Sequence, residues 1–229
     1  SSYQSLAVHE AKHHPSSPAS QVLLSKAALQ AGQLDIAIAA NKQAMILAPQ
    51  ELAHALNYQQ NLAMAQQEIP QSIQENTLRS IKDNKLTAFS RFTLDTIANC
   101  LNKKPCSGIR LNYIEWINAV IEKKPKTAYY YYLKGKAELS LSQDVRALNS
   151  FQHAYTLDKK FIHPLFEIAN IFLNNGQLIQ TERLVELIVH TNKLTSFKRD
   201  KEIQQLKEVI QKIKASSKGQ GLSQLDSAN

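Results

Sequence analysis

The fold is decided by the stretch Ala31-Gly32-Gln33-Leu34-Asp35-Ile36-Ala37, which lies inside a unit of 34 residues that begins at Pro18. Counted from Pro18, Ala37 is position 20, Ala44 is position 27 and Pro49 is position 32. Alanine at positions 20 and 27 lets two helices cross closely, where a larger side chain would hold them apart. Because Pro49 ends the second helix, the unit predicts one pair of antiparallel helices.

The same pattern recurs at a fixed spacing. One unit begins at Ala128 and another at Ile162, and the difference 162 − 128 is 34. One step back leads to Leu94, and one step forward leads to Ser196. Self-similarity at this period is typical of a helical repeat array. The predicted units lie near 18–51, 94–127, 128–161 and 162–195.

These positions resemble the pattern of the tetratricopeptide repeat (TPR) family, and residues 31–37 are similar to the family's turn between two helices. The resemblance implies an all-α fold, a TPR-type α-solenoid of antiparallel helix pairs. Residues 52–93 do not match clean repeats, although Leu52–Gln67 and Ile73–Lys82 are predicted to be helices.

The predicted organisation is a single array over residues 1–214. A charged helix within 196–214 would cap the stack with a polar outer face. Residues 215–229 are small and polar, and the prediction for them is a disordered tail. Because the chain starts at Ser1 without a methionine, we expect it to be a fragment of a longer protein.

Composition favours helices and leaves one alternative function open. The chain has only 6 glycines and 7 prolines, and no apolar run approaches the ~18 residues that a membrane span needs. Its net charge of +8 would suit an anionic partner such as nucleic acid. However, the lysines form small groups at predicted helix ends, where cations complement the helix dipole, and we interpret them as solvated.

The TPR resemblance also implies a ligand groove, because the first helix of each unit lines the concave face with positions 2, 5 and 9. The groove residues are therefore predicted to be Tyr129, Tyr132, Lys136, His163, Phe166 and Asn170. Rigid aromatic rings beside a cation and an amide suit an extended peptide. The prediction is a protein-binding scaffold without catalysis or cofactor; the alternative is that each tyrosine only packs against neighbouring helices.

An H-E-x-x-H motif, His9-Glu10-Ala11-Lys12-His13, raises a second function. Two histidines four residues apart can share a zinc ion, and the intervening glutamate can activate its water. The motif stands at the start of the chain, Pro15 ends its helix, and no second ligand motif follows. We therefore predict a polar first helix without metal, with a metal-dependent hydrolase using His9, Glu10 and His13 as the alternative.

The two cysteines, Cys100 and Cys106, stand six residues apart on either side of a predicted helix turn. Such a turn can bring both sulfurs together in a disulfide, which would indicate an oxidising compartment. It can equally leave Cys100 as a small buried apolar side chain. Both alternatives stay open at this point.

The opening segment, Glu10–Ala19, resembles the start of the C-terminal TPR regions of some bacterial polytopic membrane proteins that are similar to lipid-dependent glycosyltransferases. Those regions lie outside the cytoplasm. The resemblance implies that this chain is the soluble periplasmic tail of such a membrane protein, and the paired cysteines fit that location. A cytoplasmic domain is the alternative.

Overall fold

The computed structural model describes residues 2–83 and 85–226, and every regular element among them is a helix. These residues divide into two compact units between Gln143 and Asp144. The first unit holds α1 (Ser2–His13), α2 (Pro18–Gln30), α3 (Leu34–Leu47), α4 (Leu52–Met64), α5 (Gln71–Lys82), α6 (Ala88–Ala98), a 3-10 helix (Lys104–Ile109), α7 (Arg110–Lys123) and α8 (Ala128–Ser140). The second holds α9 (Asp144–Leu157), α10 (His163–Asn174), α11 (Leu178–Leu194) and α12 (Asp200–Asp226). The predicted all-α class is confirmed.

The pair α2–α3 forms where the opening stretch predicts it. Ser17 caps α2 by accepting a hydrogen bond from the backbone N–H of Ser20, and Pro18 occupies the first turn, where it sacrifices no helical hydrogen bond. Ala37 and Ala44 are completely buried at the crossing of the two helices. Their small side chains therefore do what the repeat pattern requires of them.

Four helices, α2, α4, α8 and α10, end in the same turn. At position 15 of each unit the backbone is left-handed, with φ of +73° at Gly32, +58° at Gln66, +57° at Ser142 and +69° at Gly176. The N–H of the next residue donates to the carbonyl five residues earlier: Gln33 to Ala28, Gln67 to Leu62, Gln143 to Glu138 and Gln177 to Phe172. This Schellman motif pairs carbonyl groups that a helix end would leave unpaired.

The shared turn corrects the predicted register of the middle of the chain. Leu52 begins a regular unit, because 52 − 18 is 34 and the left-handed residue again falls at position 15. The next first helix, α6, begins at Ala88 and not at Leu94. Because 128 − 88 is 40, this unit is six residues longer than the repeat. The predicted unit 94–127 was therefore displaced by six residues.

The core of the first unit lies where α4, α6, α7 and the 3-10 helix meet. Tyr113 and Trp116 on α7 are completely buried, and the Tyr113 hydroxyl donates to the carbonyl of Leu94 at 3.0 Å. Ring centroids of Tyr113 and Trp116 lie 6.2 Å apart in an edge-on arrangement. Fully burying an apolar side chain contributes about 1.5–3 kcal/mol, so these aromatic residues anchor the irregular middle of the chain.

The second unit is a run of sequential antiparallel contacts, in which α10 packs against α9 and α11, and α11 packs against α12. Thr181 stands at position 20 in place of alanine; it is fully buried, and its hydroxyl donates to the carbonyl of Gln177 at 2.9 Å. The buried hydroxyl is therefore hydrogen-bonded within its own helix turn and needs no acceptor from another helix.

The end of the chain differs from its prediction. The sequence predicts a disordered tail from residue 215, whereas α12 continues to Asp226. No proline interrupts this segment, so the helix that begins at Asp200 can propagate through it. Residues 227–229 lie outside the described residues. The arrangement of residues 1–214 as a single array stays a prediction, because the two units are described separately here.

Candidate functional site

Helix α8 brings together Tyr129, Tyr132 and Lys136, which were predicted to line a groove, on the side that packs against α6. The rings of Tyr129 and Tyr132 have centroids 6.2 Å apart. The Lys136 ammonium lies 5.6 Å from the centroid of Tyr132, within reach of a cation–π contact. All three side chains are partly exposed.

A chain of hydrogen bonds links Tyr129 and Lys136 to α6. Tyr129 donates its hydroxyl proton to Asp95 Oδ1 at 2.5 Å, and Asn99 Nδ2 donates to the other carboxylate oxygen at 3.3 Å. Lys136 Nζ in turn donates to Asn99 Oδ1. Two of the predicted groove residues therefore also join the first helices of adjacent repeats, a role that the sequence prediction did not include.

The surroundings of α8 raise the pKa of two of its tyrosines, Tyr129 and Tyr130. Burial raises the pKa of Tyr129 well above its ordinary value, and the hydrogen bond to Asp95 and its negative charge act in the same direction. Burial also raises the pKa of Tyr130, although the neighbouring Arg91 opposes the shift. Both hydroxyl groups stay protonated at neutral pH and can act as hydrogen-bond donors.

Phe92 on α6 is a candidate that sequence reasoning missed. Its side chain is 61% exposed, which is unusual for a large aromatic residue in a helix interior. With α6 beginning at Ala88, Phe92 takes position 5, the position of Tyr132 on α8 and of Phe166 on α10. The displaced register hid this equivalence; the available signal was the recurrence of aromatic residues at 34- to 40-residue spacing in the sequence.

The other predicted groove residues lie on α10 in the second unit. His163 Nε2 lies 3.1 Å from the Arg199 guanidinium, and its ring stacks at a tilt against Phe161 with centroids 5.5 Å apart. Phe166 is half-buried and Asn170 is exposed. Arg199, which immediately precedes α12 and lies within the predicted capping segment 196–214, thus contacts position 2 of this repeat.

The H-E-x-x-H residues lie on α1, where the rings of His9 and His13 have centroids 4.2 Å apart. Glu10 lies beside His14, with carboxylate and imidazole 4.0 Å apart. Across residues 2–83 and 85–226, no cluster of three or more histidine, cysteine, aspartate or glutamate side chains is arranged to hold a metal ion. The metal-dependent hydrolase therefore receives no support from the described part of the chain.

The cysteines lie in the extended connection between α6 and α7, residues 99–109, which makes this unit longer than the repeat. A disulfide joins Cys100 and Cys106, whose Cα atoms are 5.7 Å apart. Cys106 is fully buried, and the Gln60 amide of α4 reaches its sulfur at 3.8 Å. Gly108 in the same 3-10 helix faces α4, and a Cβ added there would lie in ordinary contact with that of Ala63, at 3.5 Å. The disulfide joins the two ends of residues 100–106, and the contacts of Cys106 and Gly108 hold this segment against α4.

None of the described helices combines the length and the hydrophobicity that crossing a bilayer requires.

The recurring turn, the 34-residue offsets and the packing of first helices on one another decide the type of fold. The helix pairs are of the tetratricopeptide type. No protein-family model matches the sequence, and no curated protein matches it.

Among solved structures, a MamA crystal structure is similar at 13% identity and a TM-score of 0.41, over 74% of this chain and 95% of that one. A MamA fragment from Desulfovibrio magneticus RS-1 gives 14% and 0.41, over 79% and 97%. The P58(IPK) TPR domain gives 11% and 0.38, over 94% and 62%. Because these TM-scores are below 0.5, the repeat assignment depends on the helix bounds of this chain.

Proposed function

We propose that this chain is a protein-interaction scaffold that holds an extended segment of a partner along the first helices of its repeats. The observation that carries this proposal is the aromatic row at position 5, in which Phe92 is mostly exposed and Tyr132 is partly exposed on helices that pack against each other. Exposed rigid rings cost solvation in the unbound protein and bury much area when a partner covers them.

The polar contacts beside the row favour a peptide ligand. The network from Tyr129 to Lys136 fixes these side chains before a ligand arrives, so that less rotamer freedom is lost on binding. Lys136 and the amide of Asn99 offer groups that can pair with a peptide carboxylate or backbone. The scaffold itself performs no chemistry in this proposal.

Selection of binders from a random peptide library, followed by fluorescence anisotropy of the selected peptides, tests the proposal. Phe92→Ala and Tyr132→Ala should each weaken binding by about 1–3 kcal/mol while circular dichroism stays unchanged. The matched control is Leu111→Ala on α7, since Leu111 is 67% exposed but belongs to a second helix. Equal loss in Leu111→Ala, or no loss in the two aromatic variants, would refute the proposed binding face.

We also propose that the domain lies outside the cytoplasm, as the soluble tail of a glycosyltransferase-like membrane protein. The Cys100–Cys106 disulfide supports this location, because structural disulfides persist in oxidising compartments. Mass spectrometry of alkylated protein from its native compartment should find the two cysteines linked. Two alkylated thiols would contradict the location without affecting the scaffold proposal.

A further inference from the structure

A cleft of about 440 Å³ opens between α3, α4 and α5 in the first unit. Its size lies within the roughly 300–1,000 Å³ that small-molecule sites occupy. Met45, Leu52, Ala55 and Ile73 provide an apolar wall, and Arg79 stands at its polar side. None of these residues belongs to the aromatic row, so the cleft is separate from the proposed peptide-binding face.

A buried amide lies directly behind the wall of this cleft. Gln59 Nε2 donates to Thr77 Oγ1 at 2.8 Å and to the carbonyl of Ala55 at 3.3 Å, and both of these residues line the cleft. Gln59 is completely buried, and its Oε1 accepts no hydrogen bond from any described residue. Gln59 does not itself line the cleft; its amide holds Ala55 and Thr77 in the wall from behind.

The charge at the mouth is positive. The Arg79 guanidinium is exposed and makes no hydrogen bond or ion pair within residues 2–83 and 85–226. Lys85 also lines the mouth, but Asp83 neutralises it at 3.7 Å. The net positive charge therefore belongs to Arg79, whose planar donors suit a carboxylate, sulfonate or phosphate group.

We propose that this cleft binds a small organic anion that has an apolar body. The apolar body packs against Met45 and Ile73, and the anionic group pairs with Arg79. This assignment is independent of peptide binding at Phe92 and Tyr132.

Two fluorescent probes test the proposal on the full chain. 1-Anilinonaphthalene-8-sulfonate combines an apolar body, an N–H donor and an anionic group, whereas N-phenyl-1-naphthylamine lacks only the anionic group. Arg79→Gln should lower the affinity for the anionic probe about fivefold and leave the affinity for the neutral probe unchanged. Lys82→Gln is the matched control, because Lys82 is an exposed cation on the same helix outside the cleft.

Blocking the cleft provides the second arm. Asn76 is exposed and lines the cleft, so Asn76→Trp can obstruct entry without disturbing the core. This change should lower the affinity for both probes about tenfold or more. Phe92→Ala should change neither affinity. Circular dichroism and thermal melts confirm that each variant folds.

Three results would overturn the proposal. The first is equal weakening of the anionic probe by Arg79→Gln and Lys82→Gln, and the second is probe binding that survives Asn76→Trp. The third is self-association of the chain that Asn76→Trp abolishes, since this would identify a second copy as the occupant of the cleft.

Discussion

The hydroxyl of Tyr129 on α8 donates to the carboxylate of Asp95 on α6, which lies 34 residues earlier and one repeat away. A hydrogen bond to a charged group stabilises a protein more than one between neutral groups, although partial exposure reduces the effect here. Tyr129→Phe removes this bond and keeps the ring. We expect it to lower the free energy of unfolding in urea by about 1 kcal/mol.

The control for this change is Tyr3→Phe on α1, where the ring is 37% exposed and the hydroxyl has no described partner. Tyr3→Phe should leave the unfolding midpoint unchanged. A midpoint for Tyr129→Phe that equals the wild-type value would mean that the contact with Asp95 contributes nothing to stability.

Alkaline pH should destabilise the first unit. Burial raises the pKa of Tyr113 and Tyr129 above 10.0, the ordinary value that these side chains recover on unfolding. Above pH 10 the folded state therefore binds more protons than the unfolded state, and stability falls as the pH rises. In a titration followed by tyrosinate absorbance, one group of tyrosines should ionise only at the pH where helical circular dichroism is lost. Ionisation of all tyrosines near pH 10 in folded protein would contradict these pKa shifts.

The left-handed residue at position 15 offers a way to stabilise the chain. A non-glycine residue in this conformation costs about 1–2 kcal/mol, part of which glycine recovers despite its greater chain entropy. Gln66→Gly should therefore raise the free energy of unfolding by about 0.5–1 kcal/mol, as measured by urea denaturation. Gln67→Gly is the control and should lower it, because residue 67 is not left-handed. No gain from Gln66→Gly would show that the backbone of Gln66 carries no strain, and an equal gain from Gln67→Gly would show that the effect does not come from the left-handed conformation.

These turns also explain which repeats could be predicted. Glycine marks position 15 at Gly32 and Gly176, and both units were found with their helices in the predicted places. Gln66 adopts the same conformation without the composition signal, and the unit at Leu52 was predicted only as separate helices. Ser142 lacks the glycine signal too, but the unit at Ala128 was predicted because it lies 34 residues before the unit at Ile162. A sequence pattern reports what a residue favours, and Gln66 adopts the left-handed turn although glutamine does not favour it.

The candidate site was predicted in part for a related reason. Tyr129, Tyr132 and Lys136 could be assigned to positions 2, 5 and 9 because the repeat beginning at Ala128 keeps its register; that they line a groove stays a prediction. Phe92 was missed because the extension that contains Cys100 and Cys106 shifts α6 by six residues relative to the repeat spacing. Nor could the sequence reveal that Asp95 accepts from Tyr129, since that contact depends on the packing of α6 against α8.

Overpacking should distinguish the crossing of α2 and α3 from their exposed faces. Ala37 and Ala44 have no exposed surface, so Ala37→Trp or Ala44→Trp should cost about 1–3 kcal/mol in urea unfolding. Lys42→Trp places the same side chain on the exposed face of α3 and should be nearly neutral. Similar losses at position 42 and at the two alanines would show that the helix crossing is not where the repeat pattern places it.

The charge of Lys136 should decide which peptides the scaffold prefers. Its ammonium contacts Asn99 Oδ1 and lies 5.6 Å from the Tyr132 ring, so an acidic side chain bound over that ring would meet a cation. Lys136→Gln should lower the affinity for an acidic peptide about fivefold, as measured by fluorescence anisotropy at low salt. The affinity for a neutral peptide of the same length should not change, because only the acidic peptide is attracted by the charge. Raising the salt concentration should reduce the difference. Lys134→Gln is the matched control, since Lys134 lies two residues earlier and on another side of α8. If Lys134→Gln weakens the acidic peptide as much as Lys136→Gln does, the attraction comes from the overall charge of +8 and not from this position.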